Sequence, residues 1–261
     1  MSEADTLQVP TRPLSMIDTE HLKRDFWEQG FLVLDNFFEP GLMDRVDRVI
    51  RQHFGDNPQF RHEEDFLKKS QTEVIPWFPQ NPDLPKFQKD LANPFDEMER
   101  HPDLKILTEV ILGKDWNRLY GMVMFSKKGS AGQAWHQDCA PEDSRRFNLN
   151  RLVYTRDLSA EVGGQTVVMP GSHRMGLLPA GNPHEDLGGQ RVLNPRKGTL
   201  VLLHGHTWHR VLPVTGAFRF STNFRAAPSG TEANITDICV YRNMRYQFST
   251  SRVVEERTPA N

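Results

Sequence analysis

Residues 198–210 read GTLVLLHGHTWHR, from Gly198 to Arg210. The run from Leu200 to Leu203 is too short for a helix, and it is closed by Gly198 on one side and the polar His204-Gly205 pair on the other. A brief continuous apolar run between turn residues predicts a strand. Runs of the same kind lie on either side: RLYGMVMF (118–125), RLVYTRDL (151–158), QTVVMP (165–170) and RFSTNFR (219–225), separated by Gly, Pro, Asn and Asp. Short strands at this spacing predict a sandwich or barrel, and a jelly roll is one way to close it. Upstream, IDTEHLKRDFWEQG predicts a helix with Asp18 as its N-cap and Gly30 as its stop, FLVLDNFF a buried strand, and EPGLMDRVDRVIRQHFG a second helix ending at Gly55. HPDLKILTEVILG predicts a further helix closed by Gly113.

At 261 residues the chain is long enough for one large domain, and one catalytic domain over 1–261 is the simplest division. Basic and acidic residues nearly balance, 32 against 34, so no excess of positive charge points to a phosphate backbone, and nucleic acid is not an expected partner. Cys139 and Cys239 are the two cysteines, and neither belongs to a CxxC pair, which argues against a disulfide scaffold or a thiolate zinc site. The polar start MSEADTLQVPTRPLS lacks a signal-peptide pattern, and no apolar run reaches the about 18 residues that span a bilayer. A cytoplasmic protein without a membrane partner is expected; the oligomeric state is left open. Residues 1–14 read as a loose arm. Between Phe60 and Phe95 the prolines 76, 79, 82, 85 and 94 leave no long regular element, and so long an irregular stretch reads as a lid.

The chemistry concentrates at two places. In AWHQDCA (134–140), His136 and Asp138 stand two residues apart; on a strand, side chains at i and i+2 share a face, so an imidazole and a carboxylate converge there. LLHGHTWHRV supplies His204, His206 and His209 within six residues, in a chain with ten histidines. Two histidines and one carboxylate on one side of a metal leave the other positions open, the arrangement that suits Fe(II) working with an oxidant and a co-substrate.

These residues, with GFLVLDNFFEPGLMDRV, HPDLKILTEVILG, MPGSH and KGTLVLLHGHTWHRVLP, resemble the phytanoyl-CoA dioxygenase family of Fe(II)/2-oxoglutarate oxygenases over most of the chain. The resemblance implies a mainly β fold with packed helices around a double-stranded β-helix, a jelly-roll, cupin-like core. It implies Fe(II) held by His136, Asp138 and a distal histidine, for which His209 fits best and His206 is the runner-up. It also implies 2-oxoglutarate and O2 as co-substrates, with ascorbate as the expected in vitro reductant. Arg219, paired with Ser221 at i+2, takes the place of the basic residue that binds the far carboxylate, with Arg225 as the competing anchor.

The expected activity is therefore hydroxylation, or another oxidation, of a small molecule, with succinate and CO2 as co-products. Two alternatives stand beside it: a zinc-dependent hydrolase built on His204, His206 and His209, and a metal-free jelly-roll binding protein. Trp135 and Trp208, beside the proposed ligands, read as packing before they read as walls of a site, and Gly171, Ser172 and His173 as a turn.

Overall fold

The structure is a computed structural model that describes residues 7–8, 19–54, 72–77, 94–247 and 258–259. In chain order its elements are β1 (Leu7–Gln8), α1 (Glu20–Gln29), β2 (Phe31–Asp35), α2 (Pro40–Phe54), β3 (Thr72–Trp77), α3 (Pro94–Glu99) and α4 (Pro102–Leu112). There follow β4 (Asn117–Lys127), β5 (Gln133–Gln137), β6 (Leu149–Val153), β7 (Thr166–Val168), β8 (Arg191–Val192), β9 (Leu200–His204), β10 (His209–Val211), β11 (Phe218–Ala227), β12 (Ile238–Tyr241), β13 (Met244–Gln247) and β14 (Thr258–Pro259). The strands form two seven-stranded sheets, ordered β1-β2-β9-β6-β11-β4-β3 and β14-β13-β12-β5-β10-β7-β8. All pairings are antiparallel except β1 with β2. From β4 to β7 and again from β8 to β12, consecutive strands alternate between the sheets, which is the expected double-stranded β-helix.

Alternation along the strands sets the layers. Leu22 and Phe26 of α1, Leu42, Met43 and Val46 of α2, and Leu104 and Leu107 of α4 pack on one face of the first sheet, against Val123, Phe125, Leu149, Val153, Phe220 and Phe224. Burying this face removes the apolar stripe of each helix from water, at about 25 cal/mol per Å². The neighbouring positions on the same strands, Arg219, Ser221, Asn223 and Arg225 on β11 among them, therefore face the space between the sheets. Tyr154, Val168, Val201 and Leu203 fill one end of that space. Trp135, Val167, Leu178 and Trp208 form a third cluster on the outer face of the second sheet. Both tryptophans are thus packing residues.

Four sequence expectations need adjustment. The cap of α1 is Thr19, while Asp18 lies outside the described residues; Gly30 closes the helix in the left-handed region, φ 82°, as expected. Of the arm at 1–14 only Leu7–Gln8 is described, as an edge strand beside Leu34 and Asp35. Thr72–Trp77 is a regular strand inside the stretch read as irregular. It pairs with β4 at the margin of the first sheet, where a proline such as Pro76 is tolerated because, among the described residues, no further strand needs its missing N–H. Pro94 starts α3 instead of breaking it, since a first-turn proline lacks only an N–H that the helix does not use. The rest of 60–93, including Arg61, Lys68, Lys69 and Phe78, lies outside the described residues.

Candidate metal centre

His136, on β5, and His209, on β10, face each other across a pair of antiparallel strands, with ring centroids 4.0 Å apart. Asp138 follows β5 directly, and its backbone N–H donates to the Gly205 carbonyl, 2.8 Å away, tying it to the turn between β9 and β10. The ligand atoms of His136, Asp138 and His209 all lie within 4.8 Å of one another, and all three residues are buried. Nε2 of His136 is 3.8 Å from one Asp138 oxygen, and Nε2 of His209 is 3.4 Å from the other.

The two rings are oriented in the same manner. Nδ1 of His136 lies 2.8 Å from the Ala134 carbonyl oxygen, and Nδ1 of His209 lies 2.8 Å from that of Thr207. A carbonyl oxygen only accepts, so each Nδ1 carries a proton and each ring is held with its Nε2 toward the Asp138 carboxylate. The His136 ring also stacks on Tyr241, at 4.8 Å and 14°. Burial, reinforced by His209 and opposed by Asp138, pulls the His136 pKa down to about 3, so this imidazole is neutral at physiological pH. Burial works against ionisation of Asp138 as well, yet Arg225 and then His209 hold its carboxyl well below the usual carboxylate range. Two imidazoles and one charged carboxylate brought together in this way fit a divalent first-row metal, and Fe(II) in particular.

The other late histidines turn elsewhere. The His204 ring stacks on Phe147 at 4.1 Å and 15°, and its Nδ1 accepts from the His206 N–H. His206 is buried beside it, with ring centroids 5.0 Å apart. Among the described residues, the group of His136, Asp138 and His209 is the one set of three potential metal ligands, so His204, His206 and His209 do not converge as a zinc site would require. Ser172 of the MPGSH turn acts on the frame: its hydroxyl donates to the Met169 carbonyl at 2.6 Å and accepts from the Trp208 N–H at 2.8 Å, which anchors the residue before His209.

Arg219 and Ser221 are both buried on the inward face of β11, and neither Arg219 Nε nor Ser221 Oγ has a hydrogen-bond partner. The remainder of the Arg219 guanidinium meets the Tyr154 phenol. Gly164, at φ 69°, makes room for the arginine stem: a Cβ there would stand 3.0 Å from Arg219 Cγ. Arg225 is engaged differently, donating from Nη2 to Asp138 at 3.0 Å and from Nη1 to the Tyr120 hydroxyl at 2.9 Å.

Three residues around Asp138 escaped the sequence analysis. Asn150 Nδ2 donates to the second Asp138 oxygen at 2.7 Å, Asn223 Nδ2 donates to Asn150 Oδ1 at 2.8 Å, and Tyr120 receives Arg225. The signal for Asn223 was its place in the i+2 series of Arg219, Ser221 and Arg225. Asn150 and Tyr120 carry no comparable spacing.

The chain matches the family Phytanoyl-CoA dioxygenase (PhyH) over residues 26–221, well over half its length. A search of curated proteins finds no match. Among solved structures it is similar to HygX from Streptomyces hygroscopicus with nickel and 2-oxoglutarate bound, at a TM-score of 0.62 and 18% identity, covering 83% of this chain and 89% of that one. It is also similar to SnoN, the non-heme alpha ketoglutarate dependent epimerase from nogalamycin biosynthesis, at a TM-score of 0.60 and 16% identity, covering 93% of this chain and 94% of the other. At such identities the likeness shows the fold, and the fold agrees with the profile of the family. A jelly roll that carries a buried His-Asp-His centre, together with a family match spanning α1 to β11, places this chain in the phytanoyl-CoA dioxygenase family.

Proposed function

We propose that the protein is a non-heme Fe(II)/2-oxoglutarate-dependent oxygenase that hydroxylates, or otherwise oxidises, a small-molecule substrate. The observation that carries this reading is the convergence of two imidazoles and one carboxylate, all buried, with their ligand atoms within 4.8 Å of one another. His136, Asp138 and His209 would hold the metal. When bound, iron with 2-oxoglutarate and O2 supplies the oxidising chemistry, coupling decarboxylation to succinate and CO2 with transfer of one oxygen atom to a C–H bond. The protein's share is positioning: backbone carbonyls aim the imidazoles, and the buried walls keep bulk water away. Arg219 and Ser221 would take the far carboxylate of 2-oxoglutarate, a role supported by their unmatched buried donors. The engagement of Arg225 with Asp138 and Tyr120 favours Arg219 over Arg225 as this anchor.

A small-molecule substrate is supported by HygX, solved with hygromycin B bound, and SnoN, solved with nogalamycin RO. SnoN is an epimerase, so hydrogen removal without oxygen insertion is the second outcome to be separated by experiment. We also propose that residues 1–261 form one catalytic domain and that 60–95 serves as a lid. Supporting this, β3 within that segment borders β4, the strand that brings Tyr120 to the centre. No helix among the described residues is long and apolar enough to cross a membrane, and a cytoplasmic location is part of the same proposal.

The test is succinate formation from 2-oxoglutarate by anaerobically purified protein given Fe(II), ascorbate and O2, followed by mass spectrometry of products from a substrate library. Dependence on Fe(II) and O2 is expected, with ascorbate serving only to keep the iron reduced. Retention of zinc with hydrolytic activity, or failure to bind either iron or 2-oxoglutarate, would overturn the assignment.

A further inference from the structure

Asp138 is held by more than the metal centre requires. Asn150 donates to one of its oxygens at 2.7 Å and Arg225 to the other at 3.0 Å. Each donor is fixed in turn. The Arg151 backbone N–H donates to Asn223 Oδ1 at 3.1 Å, which turns the Asn223 amino group to Asn150 Oδ1 at 2.8 Å and leaves the Asn150 amino group facing the carboxylate. Arg225 sits opposite Asn150 in the pairing of β11 with β6, and its second terminal nitrogen donates to the Tyr120 hydroxyl at 2.9 Å. Two adjacent strands of the first sheet thus grip a carboxylate that belongs to the second. Desolvating Arg225 has a cost that its ion pair offsets, and its Nε remains without a partner.

A carboxylate has about four lone-pair sites, and a free one can chelate a metal through both oxygens. An oxygen held by a guanidinium is the poorer ligand, since the cation draws charge from it and occupies its approach. We infer that Arg225, braced by Tyr120, is a positioning residue that retains one oxygen of Asp138, so that the side chain offers the metal a single oxygen and leaves the place a chelating carboxylate would take to 2-oxoglutarate. This rests on the oxygenase reading above. Removing a partner that orients a metal ligand commonly costs about 10- to 100-fold in metal affinity or activity, and a co-substrate whose place depends on that orientation is expected to weaken by a similar factor.

The experiment uses Co(II), whose visible absorption reports ligand number and symmetry, in the full chain under conditions without turnover. Arg225→Gln is expected to retain Co(II), to alter its absorption before any 2-oxoglutarate is added, and to bind 2-oxoglutarate at least about tenfold more weakly by calorimetry. Tyr120→Phe, which keeps the charge and serves if Arg225→Gln does not fold, is expected to change both quantities in the same direction by a smaller factor. Absorption and affinity unchanged in a folded Arg225→Gln, or in Tyr120→Phe where the first variant is lost, would overturn the inference. Weaker 2-oxoglutarate binding with an unaltered Co(II) spectrum would overturn it too, because Arg225 would then be a direct contact of the co-substrate. A wild-type chain that fails to bind Co(II) with 2-oxoglutarate would instead sink the oxygenase reading itself.

Discussion

Replacing Arg219 with methionine should have opposite effects on the protein alone and on its complex. Without co-substrate, Arg219 is a buried guanidinium whose Nε has no partner, so an apolar side chain of similar length relieves a desolvation cost and gives up only the contact with Tyr154. Buried ionic groups exchanged for well-packed apolar ones are often neutral or stabilising, by about 1–4 kcal/mol. Arg219→Met should therefore unfold in urea at the same or a higher midpoint. With Ni(II) loaded, the same change removes the cation proposed for the far carboxylate, at about 2–5 kcal/mol, and the lower figure already corresponds to roughly 30-fold in affinity. At 2-oxoglutarate set to about 100 times the wild-type Kd, the ligand stabilises the wild type by about 2.7 kcal/mol, or roughly 5–10 °C in Tm for a chain of this size. A 30-fold weaker variant keeps about 0.9 kcal/mol, roughly 2–3 °C. Differential scanning calorimetry with and without 2-oxoglutarate reads both effects. A variant that loses 3 kcal/mol or so in the absence of ligand while keeping the full ligand-induced shift would refute the reasoning, because Arg219 would then be a structural residue and not an anchor.

Three further outcomes are expected. His136→Ala, Asp138→Ala and His209→Ala should each abolish stoichiometric metal by emission spectrometry. His204→Ala should keep the metal while losing about 2–4 kcal/mol of stability from its packed ring, and His206→Ala should also keep it. The pKa of His136 is about 3 when folded, below its ordinary 6.5, so the unfolded chain takes up a proton that the folded chain refuses. The stability this site contributes is full above pH 6.5 and declines as pH falls toward 3, by up to about 1.4 kcal/mol per pH unit, and metal-free His136→Gln should lack that component of the slope in urea unfolding. Gly30→Ala forces a Cβ at φ 82° to within 2.5 Å of His173 Nδ1 and Thr207 Oγ1, so a loss of more than about 2 kcal/mol is expected in the same assay.

Much of this protein was legible in its sequence because the signals were local. Strand period puts His136 and the next residue but one, Asp138, on one side even though β5 ends at Gln137, and the capping glycine, first-turn proline and short apolar runs depend on a few neighbouring residues. The family resemblance added a fold and a preference for His209, and the structure brings His209, without His204 or His206, to His136 and Asp138. Spacing alone does not choose among three histidines, because the course of the turn at 205–208 decides which of them crosses to the second sheet. The same holds for the grip on Asp138. Its partners Asn150 and Arg225 stand 12 and 87 residues away along the chain, and only the pairing of β6 with β11 and the closure of one sheet over the other bring them to a single carboxylate. Whether Arg219 or Arg225 is free to meet a ligand was likewise beyond the sequence: both lie on one face of β11, and the difference between them is what the opposite sheet places in front of each.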